Sequence, residues 1–149
     1  MPEATPEFKR QVRESFDELR VGQQFIFRRT FTEGDVALFC GVTGDFNPYH
    51  LDETLASQSW YGRRILPGLL TGSMLTHIGG LLGFLATEMS FRYLAPVYTG
   101  DTVTCTVTFA EKDEEQRRFR AEATYVNQDG EQVLAATFAG FPSNIRLAR

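Results

Sequence analysis

Two histidines occur in the chain, and their settings differ sharply. His50 closes the segment Gly44-Asp45-Phe46-Asn47-Pro48-Tyr49-His50, five residues after Asp45. A turn that brings a carboxylate and an imidazole together lets both touch one water, with one group accepting its proton and the other donating to a substrate. That is acid–base machinery without a metal or a covalent nucleophile. The spacing alone is also met in ordinary solvated surface loops. Phe46 and Tyr49 interleave with the polar residues and predict a loop packed partly into the protein, while Asn47 has the side chain that stabilises such turns. His77 lies inside an uncharged stretch, where a hydrogen-bonded core imidazole is the expectation. The two cysteines, Cys40 and Cys105, have neither a CxxC spacing nor a histidine companion, so they read as buried thiols of a reducing compartment rather than a zinc site or a disulfide.

The elements that must position these groups follow from periodicity. Phe8, Val12, Phe16 and Leu19 form an amphipathic stripe that predicts a docked helix over residues 6–20. Phe25, Phe27 and Phe31 alternate as a short strand. Thr32, followed by Glu33 and Asp35, is a helix N-cap with acids in the first turn, opening a helix through about Thr43 with Val36, Phe39 and Cys40 inward. Gly44 to Tyr49 is an irregular loop. Pro67 then begins PGLLTGSMLTHIGGLLGFLA, twenty residues without a formal charge. Its glycines and hydroxyls argue for a helix in a protein core over a membrane span, and each glycine costs about 1 kcal/mol of helix propensity unless something packs closely there.

What packs there is supplied by strand patterns from about Glu88 onward. Met89, Phe91 and Tyr93 alternate, as do Val103, Cys105, Val107 and Phe109, then Phe119, Ala121, Ala123 and Tyr125. Asn127 to Gly130 is a hairpin turn, and Val133 to Phe141 is apolar on both faces, which suggests an intersubunit surface. The expectation is one α+β domain, an antiparallel sheet curled around a glycine-rich central helix.

Composition excludes other classes. Fifteen basic against nineteen acidic residues give a net charge of −4, so no overall positive field favours nucleic acid or an anionic membrane. Thirteen of the basic residues are Arg, suited to gripping phosphates. Arg63, Arg64 and Arg92 are candidates for that contact, against a solvated surface role. The N-terminus lacks a basic segment followed by an apolar one, which predicts a cytoplasmic protein.

The string GDFNPYH at Gly44–His50, the helix opening Leu66-Pro67-Gly68-Leu69-Leu70-Thr71, and SFRYLAPVYTGD at Ser90–Asp101 together resemble the MaoC-like dehydratases, in particular the (R)-specific enoyl-CoA hydratases. The likeness covers about Val21 to Phe141, leaving residues 1–20 as an N-terminal helical extension before a domain over 21–149. It implies the hot-dog fold, a sheet wrapped around a long central helix, in a homodimer or dimer of dimers. It also implies hydration of a trans-2-enoyl thioester, carried by coenzyme A or acyl carrier protein, to the (R)-3-hydroxyacyl thioester, without cofactor or metal. By the same resemblance Asp45 and His50 are the catalytic pair, Asn47 orients the substrate site, and the N–H of Gly68 binds the thioester carbonyl. A helix start offers free donors and positive dipole to the enolate oxygen that forms. Pro67 stands where many relatives have His, and Tyr49 where a smaller aliphatic is common. A hot-dog thioesterase and a non-catalytic acyl-CoA-binding subunit are the competing readings.

Overall fold

The computed structural model describes residues 2–144. Its frame is one five-stranded, fully antiparallel sheet in the order β1-β3-β4-β5-β2, built from β1 (Gln24–Thr30), β2 (Phe84–Tyr93), β3 (Thr102–Asp113), β4 (Arg118–Val126) and β5 (Gln132–Pro142). The inward residues are the alternating sets read from the sequence. Val103, Cys105, Val107 and Phe109 of β3, with Phe119, Ala121, Ala123 and Tyr125 of β4, are all buried. They enclose the central helix, whose Leu70, Met74, Leu75, Ile78 and Leu82 complete the core.

That helix is shorter than expected and is made of two pieces, α5 (Gly68–Gly72) and α6 (Met74–Leu82). Ser73 between them keeps a right-handed backbone, so the pieces run end to end. The tightened turn has a local cause: Ser73 Oγ donates to the carbonyl of Leu70 at 2.6 Å and Thr76 Oγ1 to that of Ser73 at 2.7 Å, and such hydroxyl back-bonds bend helices. The helix stops at Leu82 rather than near Ala86 because Gly83 turns left-handed, with φ 54°. The carbonyls of Leu82 and Gly83 then accept the N–H groups of Asn144 and Ser143. Phe84 to Thr87 therefore belong to β2, which begins four residues before Glu88. No helix among the described residues is long and apolar enough to cross a membrane.

β5, apolar on both faces, is an interior strand between β4 and β2. The Val133 carbonyl accepts both Leu94 N–H and Ala95 N–H, which extends the β2–β5 pairing past Tyr93. The sheet's open edges are β1 and β2, and β2 carries half-exposed Leu85, Met89 and Tyr93. The N-terminal helix α1 (Pro6–Glu18) starts from a Thr5 cap and docks only through its second half. Phe16 closes one end of the core against Phe119 at 5.1 Å between ring centroids, with Arg117 and Lys112 over its face at 4.5 and 4.4 Å. Leu19 is buried as well, whereas Phe8 stays half-exposed.

α2 (Glu33–Thr43) forms as predicted, with a reciprocal capping box between Thr32 and Asp35. Desolvation raises the Asp35 carboxyl, but the hydrogen bond from Arg29 and those from Thr32 outweigh it and hold the group below the usual carboxylate range. The start of the helix that ends at Gly44 is thereby fixed by charge as well as by the cap.

The tightest approach in the sheet lies at a β-bulge in β2, where the register shifts between Ala86 and Glu88 opposite Gly140. A methyl group on Gly140 would sit 2.0 Å from the Leu85 carbonyl oxygen and 2.8 Å from Ala86 Cα. Backbone cannot swing aside as a side chain can. Gly140→Ala is therefore expected to destabilise the fold by about 2 kcal/mol or more, read as a lowered midpoint in chemical denaturation. An unchanged midpoint would show that β2 does not lie this close.

Candidate active site

The loop that leaves α2 is shaped by its own side chains. Gly44 ends the helix in the left-handed conformation, φ 73°, and its N–H bonds to the Cys40 carbonyl. Thr43 Oγ1 donates to the Phe39 carbonyl at 2.7 Å and accepts the Asp45 N–H at 3.2 Å. Asp45 Oδ1 accepts the Asn47 N–H at 3.3 Å, an Asx turn that leaves Oδ2 free. Asn47 Oδ1 in turn accepts the Tyr49 N–H and caps α3 (Pro48–Leu51), with Pro48 at its first position. The loop is thus shorter than expected, because His50 already stands on a single helical turn. A second short helix, α4 (Glu53–Ser57), follows and is capped by Asp52.

His50 is held from the far side by the backbone of Ile65. Its Nδ1 lies 2.8 Å from the Ile65 carbonyl oxygen, while the Ile65 N–H donates to the Tyr49 carbonyl at 3.1 Å. A carbonyl has no hydrogen to give, so Nδ1 carries the proton and Nε2 keeps its lone pair in the neutral ring. Nε2 lies 3.6 Å from Asp45 Oδ2. That gap is too long for a good direct hydrogen bond and suits one water donating to both atoms. The His50 side chain is only 10% exposed, against 39% for Asp45, so the imidazole is seated and the carboxylate forms the wet side.

Both groups open into a cavity of about 590 Å³ that also receives Gly68. Gly68 is the first residue of α5, and its N–H has no acceptor among the described residues. Close above it lies the ring of Tyr93, which a Cβ at residue 68 would meet at 2.5 Å. The cavity runs from an exposed rim at Leu69, Tyr93 and Leu94 to a buried floor at Leu66, Val97, Val133 and Leu134. A wet acid–base pair, an unpaired amide donor and an apolar floor therefore share one space.

Of the residues expected from the sequence, Asp45, His50 and Gly68 come together at this cavity. Asn47 does not line it and holds the loop instead. Phe46 is exposed rather than packed in; the burial at His50 comes from Ile65 and the cavity wall. His77 is an exposed ring stacked on Phe27 at 3.9 Å, not a core imidazole. The candidate phosphate ligands do not cluster. Arg64 is bound by Glu33 at 2.7 Å and Glu53 at 3.1 Å, and Arg63 lies over the Tyr98 ring at 4.0 Å. Arg92 alternates with Phe91 and Tyr93, the two rings that face α5, so it sits on the opposite side of the sheet. The cysteines are core thiols: burial pushes Cys105 up to about 12, and burial followed by the Asp45 charge raises Cys40. Among the described residues no cluster of potential metal ligands exists.

Known proteins share this fold and parts of this sequence. The R-hydratase PhaJ1 of Pseudomonas aeruginosa superposes with a TM-score of 0.79 at 28% identity, covering 87% of this chain and 85% of that one. The architecture is the hot-dog fold of the hydratases. The sequence profile described as MaoC like domain matches residues 17–131, and the chain belongs to that family. The 3-hydroxybutyryl-CoA dehydratase of Methylorubrum extorquens is 34% identical over 113 residues, 73% of this chain and 72% of its own length. The (R)-specific enoyl-CoA hydratase of Aeromonas caviae is 35% identical over 102 residues, 62% of this chain and 72% of its own length.

Proposed function

We propose that this protein is a hydro-lyase that adds water reversibly to a trans-2-enoyl thioester of coenzyme A or acyl carrier protein, giving the (R)-3-hydroxyacyl thioester. The observation that carries the reading is the 3.6 Å gap between Asp45 Oδ2 and His50 Nε2, with Nδ1 tied to Ile65 and the unpaired N–H of Gly68 in the same cavity. The names of the relatives supply the substrate class.

The steps follow from the atoms. A water donates one hydrogen to Asp45 Oδ2 and the other to His50 Nε2, which turns its oxygen lone pair into the cavity. As that oxygen bonds to C3 of the substrate, Nε2 takes a proton, and the C2=C3 electrons move onto the thioester oxygen. The Gly68 N–H meets the charge there; one such donor contributes about 3–4 kcal/mol to the transition state. The imidazolium then returns its proton to C2 on the same face. Asp45 stabilises the imidazolium while it exists, and dehydration runs the same path backward.

The reading includes self-association. β2 is an unpaired edge carrying half-exposed Leu85, Met89 and Tyr93, and two copies related by a twofold axis can pair such edges antiparallel and cover those side chains. Sedimentation is expected to give twice the chain mass, and Met89→Lys to give the single chain. A monomer in the unmodified protein would contradict this assembly.

For the chemistry, mixing the protein with crotonyl-CoA is expected to bleach the conjugated enoyl absorbance without releasing free thiol. Asp45→Asn or His50→Ala should slow this by a factor on the order of 10² to 10⁴. Release of thiol would mean a thioesterase. Saturable binding of acyl-CoA with no turnover would mean a binding subunit.

A further inference from the structure

The central helix carries three hydroxyl side chains, and two are tied off by the back-bonds of Ser73 and Thr76 already described. Thr71 differs. It is only 2% exposed and lines the cavity, yet its hydroxyl has no hydrogen-bond partner among the described residues and is not sealed off from open space. Threonine in a helix ordinarily bonds back to the carbonyl three or four residues earlier. Here the Pro67 carbonyl is already shared by the N–H groups of Leu70 at 3.0 Å and Thr71 at 3.4 Å. A hydroxyl left unpaired in a protein interior is costly, so its natural partner is whatever fills the cavity.

Position selects the partner. In an α-helix the Cα–Cβ bond leans toward the N-terminus, so the Thr71 side chain lies over the turn that begins at Gly68. Residues three apart share a helix face, and Gly68 and Thr71 both line the same cavity. An enolate oxygen has more than one lone pair, and the Gly68 N–H occupies only one. We propose that the Thr71 hydroxyl is a second donor to the thioester carbonyl oxygen, completing with the Gly68 amide a two-donor oxyanion site. The proposal rests on the enoyl thioester reading of the cavity.

Thr71→Val keeps the shape and removes the donor, and Thr71→Ser keeps the donor. Hydration of crotonyl-CoA by Thr71→Val should show kcat lowered by about 10² with KM within a few-fold and no loss of thermal stability, while Thr71→Ser should recover most of the rate. In a His50→Ala background, the infrared carbonyl band of bound 13C-labelled crotonyl-CoA should lie below that of the free thioester, and adding Thr71→Val should move it back toward the free value. A band unmoved by Thr71→Val overturns the proposal whatever happens to kcat, as does Thr71→Ser being as slow as Thr71→Val. Failure of the unmodified protein to hydrate any enoyl thioester would overturn the underlying reading, and the proposal with it. An active protein with an indifferent Thr71 would overturn the proposal alone.

Discussion

The hydrogen bond between His50 Nδ1 and the Ile65 carbonyl decides what the site can do. With Nδ1 as donor, Nε2 presents a lone pair beside a carboxylate that also presents lone pairs, and two acceptors 3.6 Å apart repel unless a donor stands between them. A water placed between them would be that donor, and its oxygen the nucleophile of the proposed hydration. Had the other tautomer been imposed, His50 would donate straight to Asp45, and the Nε2 lone pair would not be left to accept a proton from water. The remainder of the local structure serves this choice: the Asx turn uses up Asp45 Oδ1, the Asn47 cap sets the turn of helix under His50, and the Ile65 N–H locks α3 to the same backbone segment.

The second constraint is how closely a sheet can approach a helix. Gly68 and Gly72, one turn apart, let α5 lie against the rings of Tyr93 and Phe91; a Cβ at residue 72 would meet the Phe91 ring at 3.0 Å. From the other side the buried Tyr125 hydroxyl donates to the Gly72 carbonyl at 2.9 Å. The glycines that lower helix propensity thus set the depth at which the Gly68 amide stands in the cavity, and packing offsets their cost. Because Tyr93 lies on the edge strand β2, the wall of the site and the surface inferred to meet a second copy are parts of one strand.

Much of this was legible in the sequence, and the exceptions are instructive. β3 and β4 announced themselves because one face is core and the other is not, so burial alternates with residue type. The α2 cap was legible because its chemistry is local. For β5, composition reports how much of a strand is covered and not by what: its interior place between β4 and β2 leaves no mark in its residue types. The end of the central helix was misplaced because Gly83 is one of several glycines there, and only the contacts with Ser143 and Asn144 single it out. At the site, the Asp45–His50 spacing and the Gly68 helix start could be read from residue types. The anchor at Ile65 could not, since a backbone carbonyl fifteen residues away leaves no mark in side-chain identity. His77 departs from expectation for a related reason: a ring in apolar company can face outward when a neighbour such as Phe27 covers one side.

Neutron diffraction from deuterium-exchanged crystals at neutral pH tests the tautomer and the shared water together. The account requires a deuteron on His50 Nδ1 directed at the Ile65 carbonyl, none on Nε2, and one water oxygen within about 3 Å of both Nε2 and Asp45 Oδ2. A deuteron on Nε2 pointing at the Asp45 carboxylate, with no water between them, would contradict it.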